Sequence, residues 1–306
     1  MAKKVLKVIL ELLLIIMGIV LLVFSYFMIV DIETKEPKEV GENCNISNQT
    51  YKGRKIFIIE PNEEKNDIVI LYFHGGSYMA EASNKHWNFL EKLAIDTKST
   101  IVMPDYPLTP KYNYKDVFEM VEPLYKEITK KIDVKNLIVM GDSAGGGLGL
   151  ALLEKVSQES IPLPEKTILI SPWLDVRLTN PKIEEVQKKD TVLNKETLKL
   201  AGLAYSGEDG INSYLVNPID GDLEKIKNVT IFTGTDDILN PDVYVLQERA
   251  KEVNVEIEVK EYESAKHIWV IEKNSDQKLI EQAYKELCEK IEDSSHGKEV
   301  RWKTVN

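Results

Sequence analysis

Residues 138–149 read IVMGDSAGGGLG, an apolar run that leads directly into a serine with small residues on both sides. Within this stretch, residues 141–145 (GDSAG) have the form G-x-S-x-G. The form predicts a serine on a sharp, strained turn between a strand and a helix, with its hydroxyl exposed above a sheet. Ser143 is therefore a candidate nucleophile. The alternative is a glycine-rich helix start that packs closely or binds phosphate, although the lysine of the phosphate-binding loop is missing.

Apolar runs typical of buried strands alternate with segments of helical periodicity on both sides of this turn. The predicted strands are 55–60, 67–73, 99–103, 136–140, 166–170, 228–233 and 255–262, and the predicted helices are 85–94, 116–130, 144–158, 242–253 and 277–291. This alternation predicts an α/β fold, with a mainly parallel sheet covered by helices on both faces. Ligands of such sheets bind at the carboxyl ends of the strands.

The predicted α/β domain extends over residues 51–292 and contains one interruption. Residues 174–218 are polar, have helical patches and lack a clear core strand, so we interpret them as an insertion between two strands. Residues 31–50 are polar and charged, which favours a linker that could also contribute to a cap over the site. Residues 293–306 are expected to form a flexible tail.

The N-terminal part of the chain predicts a membrane anchor. Residues 12–30 form an uncharged apolar run, LLLIIMGIVLLVFSYFMIV, close to the roughly 20 residues that span a bilayer. Three lysines lie among the first seven residues, which predicts a cytoplasmic N-terminus and an extracellular catalytic domain. A cleaved signal peptide is an alternative, but its apolar core would be about 7–15 residues long and would end in small residues. A buried core helix is a further alternative.

Composition excludes several classes of protein. The formal net charge of −11 argues against nucleic acid as a partner, because the phosphates would be repelled. The two cysteines, Cys44 and Cys288, are too few for a disulfide-rich scaffold or a cysteine-built metal site. They could pair in an oxidising compartment, and two unpaired thiols are the simpler interpretation.

A nucleophilic serine needs a base, and the base needs an orienting acid. In this architecture the chain order is serine, acid, histidine. His267 follows the last predicted strand and is the candidate base; the other histidines lie in an early loop, a predicted helix and the tail. The acid should follow the preceding strand, where Asp236 and Asp237 compete. Position alone does not separate the two aspartates.

Ester chemistry also needs backbone donors for an oxyanion. Residues 74–77, HGGS, follow a predicted strand, and their glycines free the backbone to point N–H groups inward. Gly75 and Gly76 are therefore candidate donors, together with Ala144, the residue after the nucleophile. His74 is expected to support this loop rather than to act as a base.

The chain resembles the hormone-sensitive-lipase-like branch of the α/β-hydrolases, which includes bacterial acetyl esterases and carboxylesterases. The matching segments, in family order, are HGGS at 74–77, DYPLTP at 105–110, GDSAGG at 141–146, SPWLD at 171–175, DDIL at 236–239 and HIW at 267–269. The family's Asp-x-Leu motif favours Asp237 over Asp236. The family usually has an arginine within the DYPLTP segment and an acid just after it, whereas Pro107 and Lys111 stand there in this chain.

The resemblance implies the α/β-hydrolase fold and hydrolysis of a small-molecule carboxylic ester by Ser143, His267 and Asp237, without metal or organic cofactor. It also implies that residues 174–218 form a cap over the pocket. This cap is short for a lipase, which favours small acyl groups such as acetyl. The alternatives are deacetylation of cell-wall polysaccharide, peptide cleavage, and a non-catalytic adhesion module of the same fold.

Overall fold

The computed structural model describes residues 9, 12–13, 15–19, 30–35, 37 and 44–293. The strands are β1 (Cys44–Tyr51), β2 (Arg54–Pro61), β3 (Val69–Phe73), β4 (Thr100–Pro104), β5 (Leu137–Asp142), β6 (Lys166–Ile170), β7 (Val229–Asp236) and β8 (Ile257–Lys266). The helices after β3 are α1 (Asn84–Thr97), α2 (Tyr114–Lys131), α3 (Ser143–Gln158), α4 (Ile183–Val186), α5 (Lys195–Ser206), α6 (Asn240–Glu252), α7 (Trp269–Glu272) and α8 (Gln277–Glu292).

The described strands form one sheet in the order β1-β2-β4-β3-β5-β6-β7-β8. Strands β3 to β8 pair in parallel, whereas β2 is antiparallel to both β1 and β4. The α/β class and the mainly parallel sheet predicted from the sequence are therefore confirmed. The antiparallel edge was not predicted.

Helices cover both faces of the sheet because its central strands are apolar on both sides. Every residue of β3, β4 and β5 is buried. Side chains alternate between faces, so Leu71 packs into a cluster with α2, α3 and α6, while Ile70 packs into a second cluster with α1 and α8. Burial on both sides is the usual state of parallel sheets.

The order of the strands places the candidate site. The chain passes from β3 to β4 on one side and then to β5 on the other side of β3. The loops that leave β3 and β5 therefore diverge at their carboxyl ends, and such a switch point is where open α/β sheets bind ligands. Residues 74–77 follow β3 and residue 143 follows β5, so both meet at this point.

The predicted linker over residues 31–50 needs correction, because the edge strand β1 begins at Cys44 within it. This strand has few apolar residues and pairs along its length with β2. An edge strand with a solvated face lacks the continuous apolar run by which the central strands were recognised.

Cys44 and Cys288 are free thiols, so the disulfide considered from the sequence is not formed.

The insertion at residues 174–218 lies between β6 and β7, where the chain forms the helices α4 and α5 and no strand. We call these residues the cap.

The predicted membrane anchor at residues 12–30 lies largely outside the described residues, although 12–13 and 15–19 are helical. Among the residues that the structure describes, no helix is long and apolar enough to cross a membrane. The predicted tail also lies outside them, apart from residue 293.

Candidate active site

Ser143 occupies the junction between β5 and α3, with a φ of +51°. A positive φ is uncommon for a residue with a side chain and is maintained only when the surroundings impose it. The neighbouring glycines leave the required space: a Cβ at Gly145 would lie 2.0 Å from the carbonyl oxygen of Phe73, and one at Gly141 would lie 2.6 Å from that of Gly145. Residues 141–145 thus form the strained strand-to-helix turn predicted from G-x-S-x-G, which we call the nucleophile turn.

The structure brings Ser143, His267 and Asp237 together. The distance from His267 Nε2 to Ser143 Oγ is 2.9 Å, and the distance from His267 Nδ1 to Asp237 Oδ2 is also 2.9 Å. Asp237 Oδ1 accepts a hydrogen bond of 2.9 Å from the N–H of Leu239. Asp236 instead ends β7 and is paired with Lys266 in the sheet. The geometry therefore separates two aspartates that sequence position could not separate.

The environment of His267 favours its charged form. Burial by itself disfavours an imidazolium, but the charge and hydrogen bond of Asp237, with contributions from Asp190 and Asp142, raise the pKa of His267 above its usual value. Asp237 lies in the loop after β7, Asp190 lies in the cap, and Asp142 lies in the nucleophile turn. A positive charge that develops on this ring during a reaction would be stabilised.

The HGGS loop (residues 74–77) corrects one predicted oxyanion donor. The N–H of Gly75 donates to Asp142 Oδ1 at 2.9 Å, so it is already occupied. A Cβ at Gly75 would lie 2.2 Å from Asp142 Oδ2, which explains why a glycine is needed for the close approach. Gly75 is therefore a structural contact between the HGGS loop and the nucleophile turn, and not a free donor.

The next two residues of the HGGS loop present free N–H groups. Gly76 and Ser77 have φ values of +120° and +55°, and successive N–H groups in such turns can converge on an anion. Within the described residues, no hydrogen bond uses the N–H of Gly76, Ser77 or Ala144. Ala144 lies in the first turn of α3, where N–H groups have no intrahelical acceptor. The sequence analysis did not predict Ser77, because within the HGGS loop it singled out the glycines.

Asp142 connects the nucleophile turn to its surroundings. Its buried carboxylate accepts hydrogen bonds from Tyr72 Oη at 2.6 Å and His86 Nε2 at 3.2 Å, besides that from Gly75. Burial would raise the pKa of Asp142, but the charge and hydrogen bond of His86 hold it below its usual value. Burial lowers the pKa of His86, but the charge and hydrogen bond of Asp142 raise it above its usual value, so the protonated ring would pair with this carboxylate. The sequence showed His86 only as a residue within a helix.

His74 supports the HGGS loop, as expected. Its ring stacks on Tyr106 with 4.5 Å between the ring centroids, and its Nδ1 donates to the carbonyl oxygen of Gly75 at 2.7 Å. Burial and the nearby charge of His86 lower the pKa of His74 to about 4. A neutral ring that already donates to the backbone is suited to support the loop rather than to act as a base.

An aromatic cluster, Tyr78, Trp173 and Tyr205, stands beside the nucleophile. Tyr205 belongs to cap helix α5 and stacks on Tyr78 with 3.5 Å between ring centroids, and Tyr78 stacks on Trp173 at 5.8 Å. The backbone N–H of Trp173 donates to the carbonyl oxygen of Ser143 at 2.8 Å, which fixes the cluster against the nucleophile turn. The exposed fractions of Ser143 and His267 are 4% and 3%, so both residues are almost completely covered by their neighbours.

The DYPLTP segment is held by charges from elsewhere in the chain. Arg54 of β2 forms a buried ion pair of 3.0 Å with Asp105, and it also pairs with Asp31. Lys111 binds Asp31 at 2.9 Å. The ion pairs thus exist although Pro107 replaces the usual arginine.

In the described part of the chain, no three His, Cys, Asp or Glu side chains converge as metal ligands would.

Comparison with known proteins shows the family of the chain. The family model described as alpha/beta hydrolase fold matches residues 70–271. An esterase of Acinetobacter venetianus is 30% identical over 197 residues, which are 63% of this chain and 65% of that esterase. An acetyl-hydrolase of Streptomyces hygroscopicus is 23% identical over 201 residues, which are 65% of this chain and 67% of that protein. The chain thus spans about two thirds of the length of these curated relatives.

A solved structure extends the similarity to most of the chain. The crystal structure of an esterase from the bacterial hormone-sensitive lipase family matches with a TM-score of 0.77 and 24% sequence identity. The match covers 84% of this chain and 86% of the other. This similarity shows that the two proteins share a fold.

Proposed function

The chain belongs to the α/β-hydrolase fold family, in its hormone-sensitive-lipase-like branch, and on that premise we propose that it is a serine carboxylesterase acting on small or short-acyl esters. The observation that carries the proposal is the hydrogen-bonded series from Ser143 through His267 to Asp237, with both distances at 2.9 Å. A nucleophile, a base and an orienting acid in this order are what hydrolysis through an acyl-enzyme requires.

The proposed reaction begins with attack of Ser143 Oγ on the acyl carbon. His267 Nε2 takes the serine proton and then gives it to the leaving alcohol, which leaves an acyl group on Ser143. A water molecule, deprotonated by the same nitrogen, releases the acid and restores the serine. Asp237 remains ionised throughout and keeps the Nδ1 proton of His267 directed toward itself.

The tetrahedral intermediates of both steps carry an oxyanion. We assign its stabilisation to the N–H groups of Gly76, Ser77 and Ala144, because these donors are free whereas that of Gly75 is occupied by Asp142. A donor directed at such a charge contributes about 3–4 kcal/mol to the stability of the transition state. The contact between Gly75 and Asp142 would fix the distance between the donors of the HGGS loop and the N–H of Ala144.

The preference for a short acyl group rests on the aromatic cluster. Tyr78, Trp173 and Tyr205 are fully or almost fully buried, and the backbone N–H of Trp173 binds the carbonyl oxygen of Ser143, so we propose that the cluster borders the acyl site and restricts its width. The acetyl-hydrolase among the relatives is consistent with an acetyl-sized acyl group. We therefore propose that the cap limits the length of the acyl chain by placing Tyr205 against Tyr78.

The test is hydrolysis of p-nitrophenyl esters from acetate to palmitate, with Ser143→Ala as the matched inactive variant. We expect the highest kcat/KM at acetate or butyrate, and no activity above background in Ser143→Ala with unchanged folding by circular dichroism. Substantial activity in the variant would remove Ser143 from the nucleophile role. No activity of the wild-type protein on any ester would favour the alternative of an adhesion module.

We also propose that residues 12–30 anchor the protein in a membrane, with the catalytic domain outside the cell. Support comes from the uncharged apolar run and the lysines that precede it. The measurement is protease treatment of intact cells that express the full chain with a C-terminal epitope. Loss of the epitope without cell lysis is expected, and protection of the epitope until lysis would contradict the proposed topology.

A further inference from the structure

The cap contacts the turn of the catalytic acid through a buried carboxylate. Asp190 lies between α4 and α5 and is 8% exposed. Its Oδ2 accepts a hydrogen bond of 2.9 Å from the N–H of Ile238, the residue directly after Asp237. The peptide that carries the catalytic acid is thus hydrogen-bonded to a side chain of the cap.

The other oxygen of Asp190 fixes the carboxylate within the cap itself. Oδ1 accepts hydrogen bonds of 2.8 Å from the N–H groups of Val192 and Leu193. A second contact supports the same connection, because Asn180 of the cap donates to Asp242 Oδ1 at 2.9 Å. Asp242 lies in the first turn of α6, directly after the acid turn. Movement of the cap would therefore pull on the segment that positions the catalytic acid.

The acid turn (residues 237–239) is closed by a hydrogen bond of 3.0 Å from the N–H of Asn240 to the carbonyl oxygen of Asp237, and two side-chain carboxylates bind further N–H groups of the turn. The N–H of Leu239 is bound by Asp237 itself, and the N–H of Ile238 is bound by Asp190. Without Asp190, the second N–H would be a buried donor without a partner, which is unfavourable. The peptide would then rotate to find another acceptor, and the carboxylate of Asp237 would move with it.

Electrostatics gives Asp190 a role beyond that of a hydrogen-bond acceptor. Burial raises the pKa of Asp190 and the like charge of Asp237 raises it further. Two buried carboxylates near each other are unfavourable unless a positive charge stands between them. His267 supplies a positive charge once it has taken the serine proton, and Asp237, Asp190 and Asp142 all raise the pKa of His267 against the effect of burial.

We propose that Asp190 is a positioning residue that couples the seating of the cap to the geometry and charge of the Asp237–His267 pair. The triad is then fully assembled only when the cap is docked on the acid turn. When the cap is docked over a substrate, His267 would be placed to act as the base. When the cap is undocked, the protein would hydrolyse esters poorly. This inference rests on the proposed ester hydrolysis and concerns how the cap controls it.

The test compares Asp190→Asn with Glu196→Gln, a matched variant that removes an exposed carboxylate from the same cap. The asparagine oxygen can still bind the N–H groups of Val192 and Leu193, but its amide offers no charge and places a donor at Ile238. We expect Asp190→Asn to lower kcat for p-nitrophenyl acetate by about 10- to 100-fold, because the base is misplaced. We expect Glu196→Gln to match the wild type.

The pH profile of kcat/KM distinguishes this role from a purely structural one. Because Asp190 raises the pKa of His267, its neutralisation should move the acid limb of the profile to lower pH. A change in KM alone, or a profile and kcat that coincide with those of Glu196→Gln, would overturn the inference while leaving ester hydrolysis by the wild type intact. An inactive wild type would overturn both proposals.

A second variant covers the case in which Asp190→Asn does not fold. Asp190→Ser keeps an oxygen that can bind the N–H groups of Val192 and Leu193, and it also lacks the charge. The same kinetic measurements apply to whichever of the two variants shows a cooperative thermal transition. We expect at least one of them to fold, with the lowered kcat and shifted acid limb. If both are unfolded, Asp190 serves folding alone and the inference is overturned.

Discussion

At the residue scale, the proposed reaction depends on the negative charge of Asp237 beside His267. Asp237→Asn removes this charge and offers the wrong hydrogen-bond partner to Nδ1. We expect kcat/KM to fall by about 10³- to 10⁴-fold and the acid limb of its pH profile to move to lower pH, since Asp237 raises the pKa of His267.

The adjacent Asp236 provides the matched control for this substitution. Asp236→Asn changes the same charge one residue away, at a half-buried position paired with Lys266 in the sheet. Steady-state kinetics on p-nitrophenyl acetate should show near wild-type activity for Asp236→Asn. Equal losses in the two variants would contradict the assignment of Asp237 as the acid.

The contact between His86 and Asp142 predicts a pH-dependent stability. The native pKa of His86 is raised, so its contribution to stability is fully present below the unfolded pKa of about 6.5 and is lost as the pH rises through the native pKa. His86→Gln keeps a donor and removes the charge. Urea unfolding should therefore show the largest difference from wild type near pH 5–6 and a smaller one at pH 9.

Lys98→Gln is the control for this measurement, because it removes a cation from an exposed pair with Glu64. Exposed pairs contribute little to stability. Over the same pH range, its free energy of unfolding should follow that of the wild type. A constant difference between His86→Gln and wild type at every pH would show that the charge of His86 is not what stabilises the nucleophile turn.

At the scale of elements, the HGGS loop distinguishes a structural glycine from a donor. In Gly75→Ala the new Cβ would meet Asp142 Oδ2 at 2.2 Å, so the contact between the loop and the nucleophile turn would be displaced. We expect kcat to fall by about 100-fold, as for other misplaced catalytic groups. Kinetics on p-nitrophenyl acetate and a thermal melt would separate lost alignment from unfolding.

Ser77→Gly is the companion variant, because the proposed donor at Ser77 is the backbone N–H and not the hydroxyl. A φ of +55° suits glycine better than serine, so the backbone conformation should be retained. We expect near wild-type kcat and an unchanged melting temperature. A large loss of kcat in Ser77→Gly would indicate that the side chain takes part in the reaction.

The elements differ in how far the sequence could predict them. The central strands and the nucleophile turn were predictable because burial on both faces and a strained serine leave strong local patterns. The polar edge strand β1 leaves no such pattern. Gly76 was predicted as a donor of the HGGS loop, but the sequence could not show that the N–H of Gly75 is occupied, because its acceptor is a carboxylate 67 residues away. His86 was missed for the same reason, since its partner Asp142 lies 56 residues away in the chain.

At the scale of the whole molecule, the cap and the body meet at the aromatic cluster. Tyr205→Ala removes the cap ring that stacks on Tyr78 beside the nucleophile. The freed width should favour longer acyl chains, and we expect the ratio of kcat/KM for p-nitrophenyl hexanoate over acetate to rise by about tenfold. Because removal of a buried ring costs about 3–5 kcal/mol, a thermal melt accompanies the kinetics.

Tyr205→Phe is the matched control, since it keeps the ring and removes only the hydroxyl. Its ratio of hexanoate to acetate hydrolysis should equal that of the wild type. If Tyr205→Ala also leaves the ratio unchanged while remaining folded, the cluster does not limit the acyl chain. The short-acyl preference would then need another origin.

The measurement that tests the central claim most directly is mass-spectrometric identification of the residue labelled by a fluorophosphonate probe. The probe forms a covalent bond only with an activated serine, so it reports the assembled triad independently of the natural ester. We expect stoichiometric labelling at Ser143 in the wild-type protein and none in Ser143→Ala. Labelling at another residue, or no labelling of the folded wild type, would contradict the assignment of this chain as a serine hydrolase that acts through Ser143.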